Sequence, residues 1–153
     1  MRLGNLVRVE TKTKLSACPS SVGAARRFVR DVLCSRNISD RVTDTVVLLT
    51  SEVVTNALVH AADSLRNGAG PQLIVRVLPS RVRVEVHDPA LAVPVRRFPP
   101  PLAASGRGIA IVDQLAKDWG VEHAARGKRV WFEVPVATAP LPFWSRGATQ
   151  PSI

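Results

Sequence analysis

The chain contains few cysteines and few aromatic residues, and these shortages exclude several classes of protein. Its 153 residues include only Cys18 and Cys34, which are too few for a disulfide scaffold and show no metal-ligand clustering. Aromatic residues make up 5% of the chain and tyrosine is absent, so the aromatic and basic mixture typical of single-stranded nucleic-acid readers is missing. We therefore expect a protein of the reducing cytoplasm without a direct nucleic-acid partner.

Long apolar runs are also missing. No stretch is expected to supply the roughly 20 apolar residues that a bilayer span needs, and Met1 to Asn5 leads into a strand rather than a secretory signal. We expect no membrane partner. Hydrophobic residues at 46% and charged residues at 22% are ordinary values for a globular chain of this length, so the composition predicts one core.

Acidic residues are outnumbered, since 12 Asp and Glu face 21 Lys and Arg, and the formal net charge is +9. This excess favours an anionic partner: nucleotide phosphates, an acidic protein or nucleic acid. The basic residues are spread along the chain and accompany no nucleic-acid motif, so nucleic acid ranks third. On the helix predicted after Pro19, Arg26, Arg27 and Arg30 share an outer face, which is either merely solvated or the docking surface of an acidic protein.

Hydrophobic periodicity and turn residues predict the order of the elements along the chain. The predicted elements are a strand over Leu6–Lys14, helices over Ser21–Ser35 and from Ser39 or Asp40 to Ala61, a hairpin of Leu73–Leu78 and Val82–His87, a helix after Gly106–Gly108, and a last strand pair of Trp119–His123 and Arg129–Val136. We predict one domain over residues 1–136 and a Pro-rich flexible tail over 137–153.

The second predicted helix contains the sequence TSEVVTNALVHA, in which Glu52, Asn56 and His60 follow one another at intervals of four residues. Residues four apart in a helix are offset by only about 40° and rise about 6 Å, so these side chains share one face. A carboxylate and an amide beside an apolar face need polar partners, and a ligand is one possible partner. A solvated stripe is the other interpretation, and for His60 a structural role is preferred.

Two further motifs follow the helix. Asp88 stands at the end of the second hairpin strand, directly before Pro89, where an aspartate commonly serves only as a turn residue. In that strand, valines alternate with polar residues, which predicts one buried face and one solvated face. Gly106, Arg107 and Gly108 open a helix whose first free N–H groups favour a phosphate, although most glycines at such positions only form the turn.

Together these motifs form a more specific combination: SEVVTNALVHA, then Asp88, then GRGIAIVDQLAKDWGV and GKRVWFEV. The combination resembles the ATP-binding domain of the GHKL superfamily, which is shared by gyrase-type topoisomerases, histidine kinases and heat-shock chaperones. Within that superfamily, the chain is similar to small bacterial anti-sigma-factor serine/threonine kinases over about Pro19 to Val136. The resemblance implies an α/β (α+β) two-layer sandwich, with a mixed, mostly antiparallel sheet and three helices on one face.

The same resemblance implies roles for individual residues. Asn56 would bind Mg2+ through its side-chain oxygen, and Glu52 would be the catalytic base that draws a proton from an attacking hydroxyl. Asp88 would accept a hydrogen bond from the adenine amino group of ATP, and Gly106, Arg107 and Gly108 would hold its phosphates. The implied function is an ATP-binding, homodimeric cytoplasmic anti-sigma factor with kinase activity, whose protein partners are a sigma factor and an anti-sigma-factor antagonist.

Two alternatives to the kinase come from other classes of protein. The family usually has glycines after the adenine-side aspartate, whereas Asp88 is followed by Pro89, Ala90, Leu91 and Ala92. This departure favours a non-catalytic nucleotide-binding or partner-binding regulator with a degenerate adenine site. The final strand also carries Arg129 where a small hydroxyl residue is often found. The third interpretation is a basic nucleic-acid binder, which the net charge suggests.

Overall fold

The computed structural model describes residues 9–62, 70–89, 112, 114–123 and 127–137, and these residues form a layer of helices on a layer of strands. The elements are β1 (Val9–Lys14), α1 (Ser21–Cys34), α2 (Asp40–Ala62), β2 (Gln72–Val77), β3 (Arg81–Asp88), β4 (Asp118–His123) and β5 (Lys128–Pro135). Of the predicted third helix, Val112, Gln114 and Leu115 are helical and the rest lies outside the described residues. The predicted tail over 137–153 also lies outside them, apart from Ala137.

The five strands form one sheet in the order β1-β2-β3-β5-β4. Every pairing between these described strands is antiparallel, so the predicted α+β sandwich is confirmed and the described sheet is not mixed. The hairpin of β2 and β3 pairs Leu73 with Val86 and Val77 with Val82, as the alternating pattern predicts. β1 is an edge strand with alternating half-buried and exposed residues, which also agrees with the prediction.

The core lies between the sheet and the helices. α1 packs on α2 and β2, while α2 also packs on β3 and β5. Phe132 of β5 is fully buried beneath the helices, and Ala25, Val29 and Leu33 form the buried stripe of α1. On β3 the valines face this layer, which places their strand against α2; the buried set is Val82, Val84 and Val86.

The apolar helix α2 corrects one expectation from the sequence. Its residues from Asp40 to Val59 are long and apolar enough for a membrane span, by length and composition alone. In the fold, one side of α2 packs into the core, while Leu48 and Val59 are exposed; the buried apolar residues are Val46, Val47, Leu49, Val53, Val54 and Ala57. The apolar residues of α2 therefore serve its contacts with α1 in the helix layer and with β3 and β5 beneath it.

A short turn connects the two helices and reverses the chain. Asn37 adopts a left-handed conformation with φ of 56°, which asparagine tolerates better than most residues. The Ser39 hydroxyl oxygen accepts a hydrogen bond from the Val42 N–H at 3.4 Å, so the predicted cap is Ser39. Across the resulting helix pair, the Arg30 guanidinium and the Asp44 carboxylate lie 3.1 Å apart.

The outer face of the sheet differs from the solvated surface predicted for it. Glu85 of β3 points away from the helices, yet its side chain is only 2% exposed. Arg76, Arg83 and His87 surround this carboxylate: Arg83 Nε donates to it at 2.8 Å, and the His87 Nε2 lies 2.9 Å from its other oxygen. Among the described residues, the side chains that surround this carboxylate come from neighbouring positions on β2, β3 and β5.

Ion pairs extend this cluster across the sheet. Arg76 donates to Glu10 of β1 at 2.7 Å, while Arg83 donates to Glu133 of β5 at 3.1 Å. The Arg83 guanidinium also stacks on the Trp131 ring, 4.0 Å from its centroid. Gly120 of β4 pairs with Trp131, and a Cβ atom there would lie 2.9 Å from the indole, so glycine leaves room for the ring. The outer face is thus an ordered network rather than a set of independent solvated charges.

Burial of Phe132 predicts a large loss of stability when its ring is removed. We expect Phe132→Ala to lower the free energy of unfolding by about 3–5 kcal/mol, because it leaves a cavity between α2 and the central strands. Urea denaturation followed by circular dichroism measures this change. Leu48→Ala is the matched control, since Leu48 is 42% exposed and its truncation should change stability by less than about 1 kcal/mol. Equal losses in the two variants would contradict the assignment of the core.

The Glu85 cluster predicts a dependence of stability on pH. Burial alone would raise the pKa of Glu85, but hydrogen bonds from His87 and Arg83 and the charges of Arg76 and Arg83 lower it from 4.5 to about 2. Because the folded pKa lies below the unfolded one, the ionised group stabilises the fold above pH 4.5. That stabilisation is lost as pH falls towards 2.

Comparison with Glu85→Gln isolates this contribution, because all other titrating groups are shared. We expect wild type to be the more stable at pH 6, with a difference in unfolding free energy that shrinks by about 2 kcal/mol on going to pH 3. Urea denaturation at several pH values measures the difference. A difference that stays constant across this range would show that the carboxylate is not ionised within a cationic cluster.

Candidate functional site

Glu52 and Asn56 lie one turn apart on α2, at the border of the core. Both side chains are half-buried, whereas Thr55 between them is exposed and Val53 and Ala57 are buried at 5% each. Within the described part of the chain, neither side chain forms a hydrogen bond or ion pair. A half-buried carboxylate and amide without such partners retain lone pairs for a ligand, which distinguishes them from a fully solvated stripe.

Nearby hydroxyl groups on the same helix are already engaged. The Ser51 hydroxyl donates to the Val47 carbonyl oxygen at 3.0 Å, and the Thr55 hydroxyl donates to the Ser51 carbonyl oxygen at 2.7 Å. These bonds to the preceding turn satisfy the small polar side chains locally. Glu52 and Asn56 are therefore the groups on this part of α2 that are best able to bind an external partner.

Asp88 is the last residue of β3 and is buried, with 4% of its surface exposed. Its position continues the alternation of Val82, Val84 and Val86, so it belongs to the helix-facing side of the sheet. α2 packs directly on β3, and the structure therefore places Asp88 on the same interlayer side as the helix that carries Glu52 and Asn56. Asp88 is therefore buried, unlike a turn residue that only faces solvent.

The cross-strand neighbour of Asp88 is a residue that the sequence analysis missed. Lys128, the first residue of β5, is the register partner of Asp88, and His123 of β4 is in turn the partner of Lys128. Directly paired residues share one face of a sheet, so the three side chains belong to the helix-facing side. The signal in the sequence was the position of Lys128 after Gly127, but its meaning depends on the register between β3 and β5.

The predicted phosphate-binding residues Gly106, Arg107 and Gly108 lie outside the described residues, as does the side chain of His60. The helix predicted to follow the glycines is described near its end. There Val112 is 3% exposed within the core, and the Ala116 N–H donates to the Val112 carbonyl oxygen at 2.8 Å. The end of this helix therefore packs into the same core as α2.

The donor groups on α2 are compatible with Mg2+ in a nucleotide complex. Mg2+ prefers oxygen ligands and usually takes only one or two from the protein, with the others coming from phosphates and water. The amide oxygen of Asn56 is one such ligand, and the carboxylate of Glu52 supplies a negative charge one turn away. An oxygen pair at the border of a buried helix thus suits a metal that is delivered with a nucleotide.

The candidate residues all lie within a range of the chain that matches a known protein family. A family model of the histidine kinase-like ATPase domain matches residues 15–134, a range that includes Glu52, Asn56, Asp88 and the Gly106–Gly108 segment. An uncharacterized protein of Streptomyces coelicolor is 38% identical over 92 residues, which make up 58% of this chain and 86% of that protein. The matched range contains both described helices, the strands β2, β3 and β4 and nearly all of β5, so it agrees with the observed fold.

Proposed function

Because the chain belongs to the histidine kinase-like ATPase domain family, we propose that it binds ATP with Mg2+ and acts as an anti-sigma-factor serine/threonine kinase. The observation that carries this proposal is the pair Glu52 and Asn56. Both are half-buried, one turn apart, and without side-chain partners among the described residues. The family supports ATP binding, and the chemistry of these two groups supports phosphoryl transfer.

In the proposed reaction, Asn56 holds Mg2+ through its amide oxygen. The bound ion neutralises charge on the phosphate oxygens. The carboxylate of Glu52 accepts the proton of a serine or threonine hydroxyl, whose oxygen forms a bond to the γ-phosphorus as the bond to the β-phosphate oxygen breaks. Backbone N–H groups of Gly106 and Gly108, with the Arg107 charge, hold the phosphates in this proposal.

The base of the nucleotide is assigned to Asp88. An ionised carboxylate only accepts hydrogen bonds, so it suits the exocyclic amino group of adenine. Burial supports this role, because a hydrogen bond in a site shielded from water discriminates more strongly between ligands than an exposed one. Asp88 would therefore select the base, while the residues on α2 act at the phosphates.

The proposed partners are a sigma factor and an anti-sigma-factor antagonist. The exposed face of α1 supports a protein partner that is acidic, since Arg26, Arg27 and Arg30 all lie on it. Arg30 is partly compensated by its ion pair with Asp44, so Arg26 and Arg27 are the better candidates for an intermolecular contact. A cytoplasmic homodimer, as in the resembled kinases, belongs to the same proposal.

One alternative is supported by a specific observation at the base site. Pro89 follows Asp88 and is exposed, and proline restricts the backbone where the family usually has glycines. A regulator that binds its protein partners without transferring phosphate would tolerate this change. The nucleic-acid alternative gains less support, because Arg76, Arg81, Arg83 and Arg129 on the outer sheet face all pair with glutamates.

Nucleotide binding tests the base assignment. We expect wild-type protein to bind Mg-ATP and Asp88→Asn to bind it at least about tenfold more weakly, because the variant loses a charge-assisted acceptor for the amino group. Isothermal titration calorimetry measures both constants. Asp31→Asn on the exposed face of α1 is the matched control and should bind like wild type. A folded wild-type protein that fails to bind Mg-ATP would refute the proposed function.

Phosphoryl transfer separates the kinase from the non-catalytic regulator. We expect Glu52→Gln to bind Mg-ATP within about twofold of wild type but to transfer phosphate about 10²- to 10⁴-fold more slowly, since it lacks the base. The assay follows labelled γ-phosphate into a purified anti-sigma-factor antagonist of the same organism. Glu10→Gln on the outer sheet face serves as control. Full activity of Glu52→Gln would exclude the catalytic role, and inactive wild type that binds ATP would favour the regulator.

A further inference from the structure

Three titratable residues lie side by side at one end of the sheet. Asp88 of β3, Lys128 of β5 and His123 of β4 are consecutive register partners across adjacent strands. Paired positions in an antiparallel sheet bring Cβ atoms to about 4.5–5.5 Å, so the Lys128 side chain starts directly beside that of Asp88 and is long enough to contact the same ligand. The base-site carboxylate is thus accompanied by a cation on the same face.

The residues around Lys128 separate it from the ion-pair network on the other side of the sheet. Arg129, the next residue, belongs to the outer face and pairs with Glu122 and, at 3.7 Å, with Glu85. Strand alternation therefore sends Lys128 to the helix-facing side. Gly127, which directly precedes β5, has a φ of 91°, a backbone conformation that favours glycine. Arg129 therefore belongs to the ion-pair network on the outer face, whereas Lys128 lies beside Asp88 on the inner face.

The chemistry of the pair is complementary. A lysine ammonium has three donors and no acceptor, while a carboxylate has acceptors only. Adenine presents a donor, its exocyclic amino group, beside ring nitrogens N1 and N7 that only accept. We propose that Lys128 is a second base-reading residue, which donates a hydrogen bond to a ring nitrogen of adenine while Asp88 accepts one from the amino group. This inference rests on the proposed ATP binding.

Ring-deleted nucleotides test the proposal directly. In 1-deaza-ATP and 7-deaza-ATP a carbon replaces one ring acceptor, and the two analogues together show which nitrogen is read. We expect wild-type protein to bind one of them about tenfold more weakly than ATP, because a charge-assisted hydrogen bond is lost. Lys128→Met should bind ATP more weakly and should no longer discriminate between ATP and that analogue. Calorimetry with each nucleotide in the presence of Mg2+ provides the affinities.

Matched variants distinguish base reading from a structural effect. Lys12→Met, on the exposed edge strand β1, should retain the wild-type discrimination, and Lys128→Gln should retain part of it because the amide still donates. A loss of fold alone would weaken all nucleotides equally and leave their ratio unchanged. Wild-type protein that binds ATP but shows the same ratios in Lys128→Met would overturn the role of Lys128 alone. Absence of any ATP binding would overturn the proposed function as well.

Discussion

Burial of the apolar side of α2 against the sheet is the constraint on which the candidate site depends. Val54 is fully buried, and α2 contacts α1 as well as β3 and β5. These contacts fix the rotation of the helix about its axis. Glu52 and Asn56 are consequently held at the border of the layer rather than in solvent, and the energy that orients them comes from hydrophobic packing elsewhere on the helix. The polar pair needs no hydrogen bonds of its own to be positioned.

The two faces of the sheet are stabilised by different interactions. The inner face is covered by helices and is largely aliphatic, with the aromatic residues Phe132 and Trp119 and with polar residues towards its edges. On the outer face, the long side chains of the described strands bury Glu85 among arginines. Since a buried carboxylate without cations would be strongly destabilising, the cluster ties β1, β2, β3 and β5 together through charge. Asp88 ends β3, which is the middle strand of the sheet. Its position therefore depends on packing at the inner face and on ion pairs at the outer face.

Local patterns predicted much of the fold. The 3.6-residue period identified α1 and α2, and the alternation of valines identified β3, because each of these elements has one clearly buried side. The outer face was less accessible to prediction. Glu85 looked like an ordinary solvated residue in its own strand, and only the register with Arg76 on β2 and the neighbouring strands shows that it is buried. Interactions between strands far apart in sequence cannot be read from alternation alone.

For the candidate site too, patterns within one element were readable from the sequence and pairings between elements were not. Glu52 and Asn56 could be proposed from the sequence because their spacing within one helix is local, whereas Lys128 becomes a candidate only through the pairing of β3 with β5. The position of Lys128 after Gly127 gains a meaning only once this register is known. Candidate residues could therefore be named from the sequence where they lie within one element. They could not be named where two strands must be aligned before their side chains can be compared.

The central claim is that α2 and the end of β3 contribute to one nucleotide site. Heteronuclear NMR of the labelled protein during titration with Mg-ADP tests it most directly. The account predicts that the side-chain amide of Asn56 and the backbone amides near Glu52 and Asp88 shift together and saturate with a single dissociation constant. Saturating shifts confined to other surfaces, with these resonances unchanged, would contradict it.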